Sequence, residues 1–522
     1  MKKTRIISCL LLVVMLFTLT ACAGQEAQST NGNSTGSTGE EASSAKKRDD
    51  LVIGIQKFSP TLDTTKTADI MLPQFQIFDG LVRDYNGEIV PALAKSWVFA
   101  DDAKSITFKL RPSTKFHNGD PITAEDVVFS INRAAASPFV TIMASAIDKA
   151  EKIDEQTVLV NFKYPYGPGL KYFTTTALYI MNKKAIEADE DGYGKNPVGS
   201  GPYVLKEWIP GEKIVMEAFS GYYAGEPAIK KITYIQIPDP STLLIALEKG
   251  EIDIIDSNTP EEARQSLIDN KKLQYAECDS NAFLNIMFNN TKGPFADKRV
   301  REAVSYAVDR QELIDGAKNG MAAPLEAALL TSCPEYPVDF KANPYDLEKA
   351  KALLTEAGYP DGFTVKMKTI DSPTYSKPTE IIQAQLKKIG INIEIEIMER
   401  GKYMDDVTNK GDFDITFWAI VAKVPDADFC QYSFFHSENL KGKGNYMGIN
   451  NPELDKLLSE GRACLDLEKR KEIYAKACEI IKEETMLVPL FMAKRTLAAN
   501  TNLTGLELRP DNLRRYIYAD WK

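Results

Sequence analysis

The chain has 522 residues, 44% hydrophobic and 26% charged, the balance of a folded protein of about three domains and not of a disordered one. Lys and Arg number 63 against 73 Asp and Glu, and the net charge of −10 with no long basic run argues against nucleic-acid binding. The two histidines, His117 and His436, leave little material for histidine metal sites or catalytic triads.

The N-terminus has the layout of an export signal. Lys2, Lys3 and Arg5 precede an apolar run from Ile6 to Leu19, which is shorter than the roughly 20 residues that cross a bilayer. Leu19-Thr20-Ala21-Cys22 follows and resembles the lipobox of bacterial lipoproteins, in which the cysteine is lipidated and becomes the new N-terminus. Residues 1–21 are therefore expected to be removed, leaving Cys22 as the membrane anchor. Ala23 to Ala45 is polar, with no aromatic residue, and reads as a tether with a reach of roughly 25–30 Å, so that residues 22–50 link the anchor to the body.

The body reads as mixed α/β. Residues 105–110 (SITFKL) and 157–162 (TVLVNF) are strand-like, with turn chemistry at Asn118-Gly119 and Asp120-Pro121 between them. Thr123, with Asp126 three positions on, opens a helix in the manner of a capping box. The loop 199–203 (GSGPY) leads into a strand. Leu347, Ala350, Leu354 and Ala357 share one helical face, and Gly358 with Pro360 ends that helix. Residues 363–369 (FTVKMKT) and 391–397 (INIEIEI) alternate as half-buried strands, with a helix from Thr379 to Lys388 between them. A short strand, 413–417, is expected to end at Trp418. Pro452 to Arg462 and Leu467 to Glu483 read as two amphipathic helices. Besides Cys22, and Cys9 within the export signal, five cysteines (Cys278, Cys333, Cys430, Cys464, Cys478) show no framework or zinc spacing and are expected to stay unpaired.

Several blocks are similar to the family 5 solute-binding proteins of ABC importers, the group that includes peptide-, nickel- and glutathione-binding receptors. They are 91–97 (PALAKSW), 105–111 (SITFKLR), 115–130 (KFHNGDPITAEDVVFS), 196–208 (NPVGSGPYVLKEW), 285–310 (NIMFNNTKGPFADKRVREAVSYAVDR), 346–363 (DLEKAKALLTEAGYPDGF) and 445–458 (NYMGINNPELDKLL). They run in the family's order, with the family core at about 91–440. The resemblance implies an α/β, two-lobed periplasmic-binding-protein-like fold (class II, cluster C) with an extra subdomain in lobe I and a central ligand cleft between the lobes. Lobe I would take 51–82, 199–283 and 493–522, the extra subdomain 83–198, and lobe II 284–492. It also implies hinge closure around the solute and docking on a permease whose partner subunits hydrolyse ATP. The chain itself would need no catalytic group, cofactor or metal, and would act as a monomer.

The same resemblance names site residues. Trp418 matches a tryptophan that lines the pocket of peptide-binding relatives. In those relatives an aspartate three positions on pairs with the peptide's α-ammonium; here that position is Val421. An ammonium buried opposite valine costs several kcal/mol unless another carboxylate meets it. The arginine that dipeptide binders use for the carboxylate is also missing from the matching loop, 370–378, which offers only Lys377. Candidate replacements are Asp69, Asp426 and Asp428, the last two in a stretch that resembles the glutathione-binding branch. Asn281 and Phe283 lie where the chain is expected to cross between lobes. An uptake receptor for peptides or peptide-like solutes follows, with a non-peptide solute (metal chelate, opine or sugar oligomer) as the alternative. No Gly-x-Ser-x-Gly elbow, His-Glu-x-x-His or Cys-x-x-Cys points to an enzyme. The expected location is the outer face of the cell membrane, on the periplasmic side where the cell has two membranes.

Overall fold

The computed structural model describes residues 47–522 apart from 69–71, 86, 441 and 512. Cys22, the tether and Asp69 therefore lie outside the described residues. Arg48–Lys522 form one compact unit. Among the described residues no helix is long and apolar enough to cross a membrane.

An eleven-stranded mixed sheet organises this unit. Its order runs Ile391–Met398, Phe363–Ile370, Ile415–Val421, Leu273–Phe288, Leu487–Asn500, Ile254–Ile255, Asp50–Ile55, Lys231–Gln236, Lys213–Ala218, Tyr203–Ile209, with Ala322–Pro324 joining Leu487–Asn500. The two long central strands belong to both ends of the sheet. Leu273 to Asp279 pairs antiparallel with Asn500 to Lys494, and pairing then resumes at Phe283 opposite Met492. Four steps on one strand match two on the other, so residues 280–282 bulge at the crossing. Beyond the bulge, from Ala282 on, the strand pairs with Val421 through Ile415.

Each end of the sheet has its own core. Leu51, Ile53, Ile232, Tyr234 and Tyr516 pack on the first-segment side, and Val300, Val304, Met367, Ile382 and Ile415 on the other. The alternation read in 363–369 and 391–397 places Val365, Met367, Ile391 and Ile393 inward. Those two strands are parallel, joined by the helix Pro373–Lys387. That helix starts six residues before the expected Thr379. Pro373 stands at its first turn, where the missing N–H costs nothing, and Pro378 is carried inside.

A separate four-stranded antiparallel sheet comprises Ala94–Phe99, Ser105–Leu110, Thr157–Phe162 and Ile147–Asp154, in that order. The helix Ala124–Ala136 packs on it through Val127, Ile131 and Ala134. Thr123 opens that helix with the full capping box: its side chain accepts from Asp126 N–H, and the Asp126 carboxylate accepts from Thr123 N–H. His117 ties the preceding turn to the loop before the strand Tyr203–Ile209. Its N–H donates to the Gly199 carbonyl and its Nε2 lies 3.0 Å from the Gly201 carbonyl.

Candidate functional site

The strand Ile415–Val421 is longer than the expected 413–417, so Trp418 sits in its middle and not at its end. The reason is tertiary: Ala282 to Phe288 pairs along its whole length, which no local pattern reveals. Trp418 is buried, stacked on Tyr375 with centroids 5.1 Å apart and tilted against Tyr403 at 4.9 Å. The Arg400 guanidinium lies over the same indole at 5.9 Å. Val421 ends the strand and is 46% exposed. Phe283 is wholly buried between Ile420 and Met492. Asn281 occupies the bulge. Its N–H donates to the Pro510 carbonyl, its own carbonyl accepts from Ala422 N–H, and its Oδ1 accepts from Ser332. It thereby ties the crossing point to the C-terminal tail and to the loop after Val421.

Asp426 and Asp428 lie in that loop region, and both carboxylates already have guanidinium partners. Arg470 donates to Asp426 Oδ1 at 2.6 Å and to Glu335 at 2.9 Å. Arg462 donates to Asp428 Oδ1 at 2.7 Å and lies over the Tyr432 ring. Burial works against the Asp426 charge, but Arg470 and Lys171 outweigh it and hold this carboxyl below its ordinary value. Burial prevails at Asp428 and pushes its carboxyl up.

The same loop meets the segment that follows the four-stranded sheet. Lys171 Nζ donates to the Pro425 carbonyl at 2.8 Å and lies 3.7 Å from Asp426. Gly167 N–H donates to the Arg462 carbonyl at 2.7 Å. Tyr164 and Tyr166 face the Arg462 guanidinium, with ring centroids 5.2 and 5.9 Å away.

Behind this contact lies a narrow cavity of about 40 Å³, space for about two or three waters. Lys423 and Pro425 form one wall; Phe75, Arg83 and Thr175, with Glu507, Arg509 and Arg515 from the C-terminal tail, form the other. More open hollows of about 600 and 950 Å³, beside Phe129 and beside Trp208, are larger, but neither touches the far end of the sheet. The walled cavity is the better candidate because it brings charged groups together from both ends.

The tail is held against the first strand. Trp521 Nε1 donates to the Asp50 carbonyl at 2.8 Å, and Tyr516 O–H donates to Asp256 at 2.9 Å. This delivers its arginines to the cavity. Arg509 is fully engaged, donating to Asp84 at 3.1 Å and to both oxygens of Asp511. Arg515 donates through Nη2 to Asp79 at 3.0 Å and to Tyr179 at 3.1 Å, while its buried Nη1 has no acceptor among the described residues. Tyr222 and Tyr223 donate to the other Asp79 oxygen at 2.7 and 2.9 Å. Burial opposes the Arg83 and Arg515 charges, but the Asp79 carboxylate keeps both guanidiniums above their ordinary value. Sequence reasoning missed these arginines: nothing local in 509–515 signals a partner more than 400 residues away. Among the described residues no cluster of three or more potential metal ligands is present, and the five described cysteines are all free thiols, with Cys333 and Cys430 sulfurs 4.0 Å apart.

Residues 88–442 match the family described as bacterial extracellular solute-binding proteins, family 5 Middle. The glutathione-binding protein GsiB of Salmonella paratyphi A is 30% identical over 491 residues, covering 91% of this chain and 94% of its own length. Among solved structures, the periplasmic binding protein DppA of Helicobacter pylori, ABC transporter-associated and in complex with the peptide STSA, is 26% identical with a TM-score of 0.77, covering 91% of this chain and 98% of its own. AgaA of A. tumefacien R10, in complex with agropinic acid, is 29% identical with a TM-score of 0.74, covering 91% and 99%. The large mixed sheet with its two crossing strands is the periplasmic-binding-protein-like fold, and the chain belongs to the bacterial extracellular solute-binding proteins of family 5.

Proposed function

We propose that this chain is the capture subunit of an ABC importer and that it takes peptides or peptide-like solutes by closing two lobes around the charged cavity. The observation that carries this reading is the cavity's double wall: Lys423 and Pro425 on one side, the arginines of the first segment and the tail on the other. With so little free volume, a solute of several residues enters only when the walls part. The bulge at 280–282 lies on one of the two strands that join the sheet's ends, where a small backbone change swings one end against the other.

In this reading lobe I comprises 51–82, 199–283 and 493–522, the extra subdomain 83–198, and lobe II 284–492. Trp418 with Tyr375 supplies the aromatic surface on the lobe II side, and Asn281 and Phe283 set the crossing. Asp426 and Asp428 act through their arginines, fixing the loop that carries Lys423. Cys22 carries the lipid, residues 23–45 give the leash, and the monomeric body works at the outer face of the membrane beside its permease and ATPase. No step requires catalysis.

Val421 favours keeping a second ligand class. A solute without an ordinary peptide N-terminus, such as an opine, has no need of a carboxylate there, and AgaA is 29% identical. Native mass spectrometry of residues 46–522, purified gently from a rich-medium culture, separates the two. A set of masses matching short peptides or glutathione supports the first. One discrete non-peptide mass replaces it with the second. A protein that binds neither, even when a ligand panel is added, contradicts the receptor reading.

A further inference from the structure

The charges that line the cavity are not all spent on one another. Arg509 is neutralised twice, by Asp84 and Asp511. Arg83 and Arg515 instead share Asp79: Arg515 binds it directly, whereas Arg83 reaches only the Tyr222 hydroxyl, at 3.4 Å, and has no carboxylate within 4 Å among the described residues. Arg83 is thus the guanidinium of this wall without a carboxylate in direct contact among the described residues, and the further carboxylate whose charge Arg515 meets is Glu507. Arg515 is 7% exposed, and its buried Nη1 has no acceptor among the described residues. A buried donor of this kind costs about 1–3 kcal/mol until an acceptor arrives. A carboxylate suits it, because a planar fork of donors matches two oxygens.

On the acidic side, Asp84 and Asp511 are held by Arg509, which leaves Glu507 as the cavity-lining carboxylate without an ion pair among the described residues. Its backbone carbonyl accepts from Arg514 Nε at 2.9 Å, which folds the tail so that Glu507 and Arg515 line the same wall. Burial pushes its carboxyl above the ordinary value although Arg509 and Arg515 pull it the other way.

We infer that Arg515 and Arg83 receive a carboxylate of the solute, that Glu507 receives its ammonium, and that this trio replaces the carboxylate which Val421 does not supply. The inference rests on the receptor reading above and specifies how its cavity selects a dipolar solute. The positions lie on the first segment and the tail, across the cavity from Lys423 and Pro425.

The test is a capping cycle read by calorimetry. The probes are glutathione and a set of short peptides, each with free termini, N-acetylated, or C-amidated. Wild type is expected to lose about tenfold or more in affinity on either cap. In Glu507→Gln, free and acetylated probes should bind within about twofold of each other, while amidation keeps its full effect. In Arg83→Gln, amidation should matter much less and acetylation should keep its effect. Both side chains are half-buried and without an ion pair among the described residues, so these variants are expected to fold; Arg515→Lys, which disturbs Asp79, is the confirmatory third. Caps without effect on wild type, or equal cap penalties in wild type and variants, overturn the assignment and leave the receptor reading standing. Failure of every probe, free or capped, to bind wild type overturns the reading and the assignment together.

Discussion

Lys171 and Pro425 are 254 residues apart in sequence, yet the Lys171 ammonium donates to the Pro425 carbonyl at 2.8 Å. This bond joins the segment behind the four-stranded sheet to the loop after the strand Ile415–Val421. It sits at the rim of the cavity, where Pro425 is itself a lining residue. Lys171→Met should keep the fold, since Asp426 retains Arg470, and should loosen the closed state by about 1–2 kcal/mol. The expected readout is a solute affinity about five- to thirtyfold weaker, mostly through faster release, measured by stopped-flow displacement.

Gly167 makes a sharper case. A Cβ there would stand 2.2 Å from the Cys464 carbonyl oxygen, a backbone atom that cannot step aside cheaply. Gly167→Ala should therefore wedge the same contact open, straining the buried cluster in which Tyr166 and Tyr172 share a core with Tyr432 and Leu458. Affinity should fall by about tenfold or more, and the melting temperature should fall with it. An unchanged affinity would show that closure does not pass through this contact.

The buried chain Glu335–Arg470–Asp426 is predicted to be costly to break and poor to exploit. Arg470→Met leaves two buried carboxylates without their partner and should destabilise the protein by about 3–5 kcal/mol in chemical denaturation. Glu335→Gln should cost far less, because Glu335 Oε2 has no hydrogen-bond partner among the described residues, and burial together with Asp426 pushes this carboxyl up. The sign follows: a raised carboxyl favours the protonated native state. Stability that wild type holds at acid pH should thus decline as the pH rises past the ordinary Glu range, and this decline should be absent in Glu335→Gln.

His117 should show the opposite dependence. Burial pulls its imidazolium down to about 4, while Nε2 is committed to the Gly201 carbonyl and Nδ1 has no partner among the described residues. The unfolded chain takes up a proton near 6.5 and the native one only near 4. Stability is therefore full above 6.5 and is lost as the pH falls from 6.5 to 4. The loss is on the order of 3 kcal/mol at most, and melting curves of His117→Phe should lack this step.

The parts of the fold that local chemistry dictates were legible in the sequence. The alternation in 363–369 and 391–397 became the parallel strands Phe363–Ile370 and Ile391–Met398, and Thr123 with Asp126 became a capping box. The cavity was not legible in the sequence: Trp418, Val421, Asn281, Phe283, Asp426 and Asp428 do not line it. The ends of strand Ile415–Val421 are set by its neighbour from residues 282–288. Asp426 and Asp428 looked like ligand groups because their arginines stand 44 and 34 residues away on helices whose exposed and buried faces alternate regularly. The tail arginines gave no signal at all. They acquire meaning only when the chain returns to lay Arg509 and Arg515 beside Arg83 and Asp84.

Capture by closure predicts a change of size on binding, read by small-angle X-ray scattering during a titration of residues 46–522 with the bound solute class. Saturating solute should shrink the solute-free protein to a more compact form, with Gly167→Ala remaining expanded at the same concentration. An identical radius of gyration with and without saturating solute, in a protein shown by calorimetry to bind it, would contradict the account.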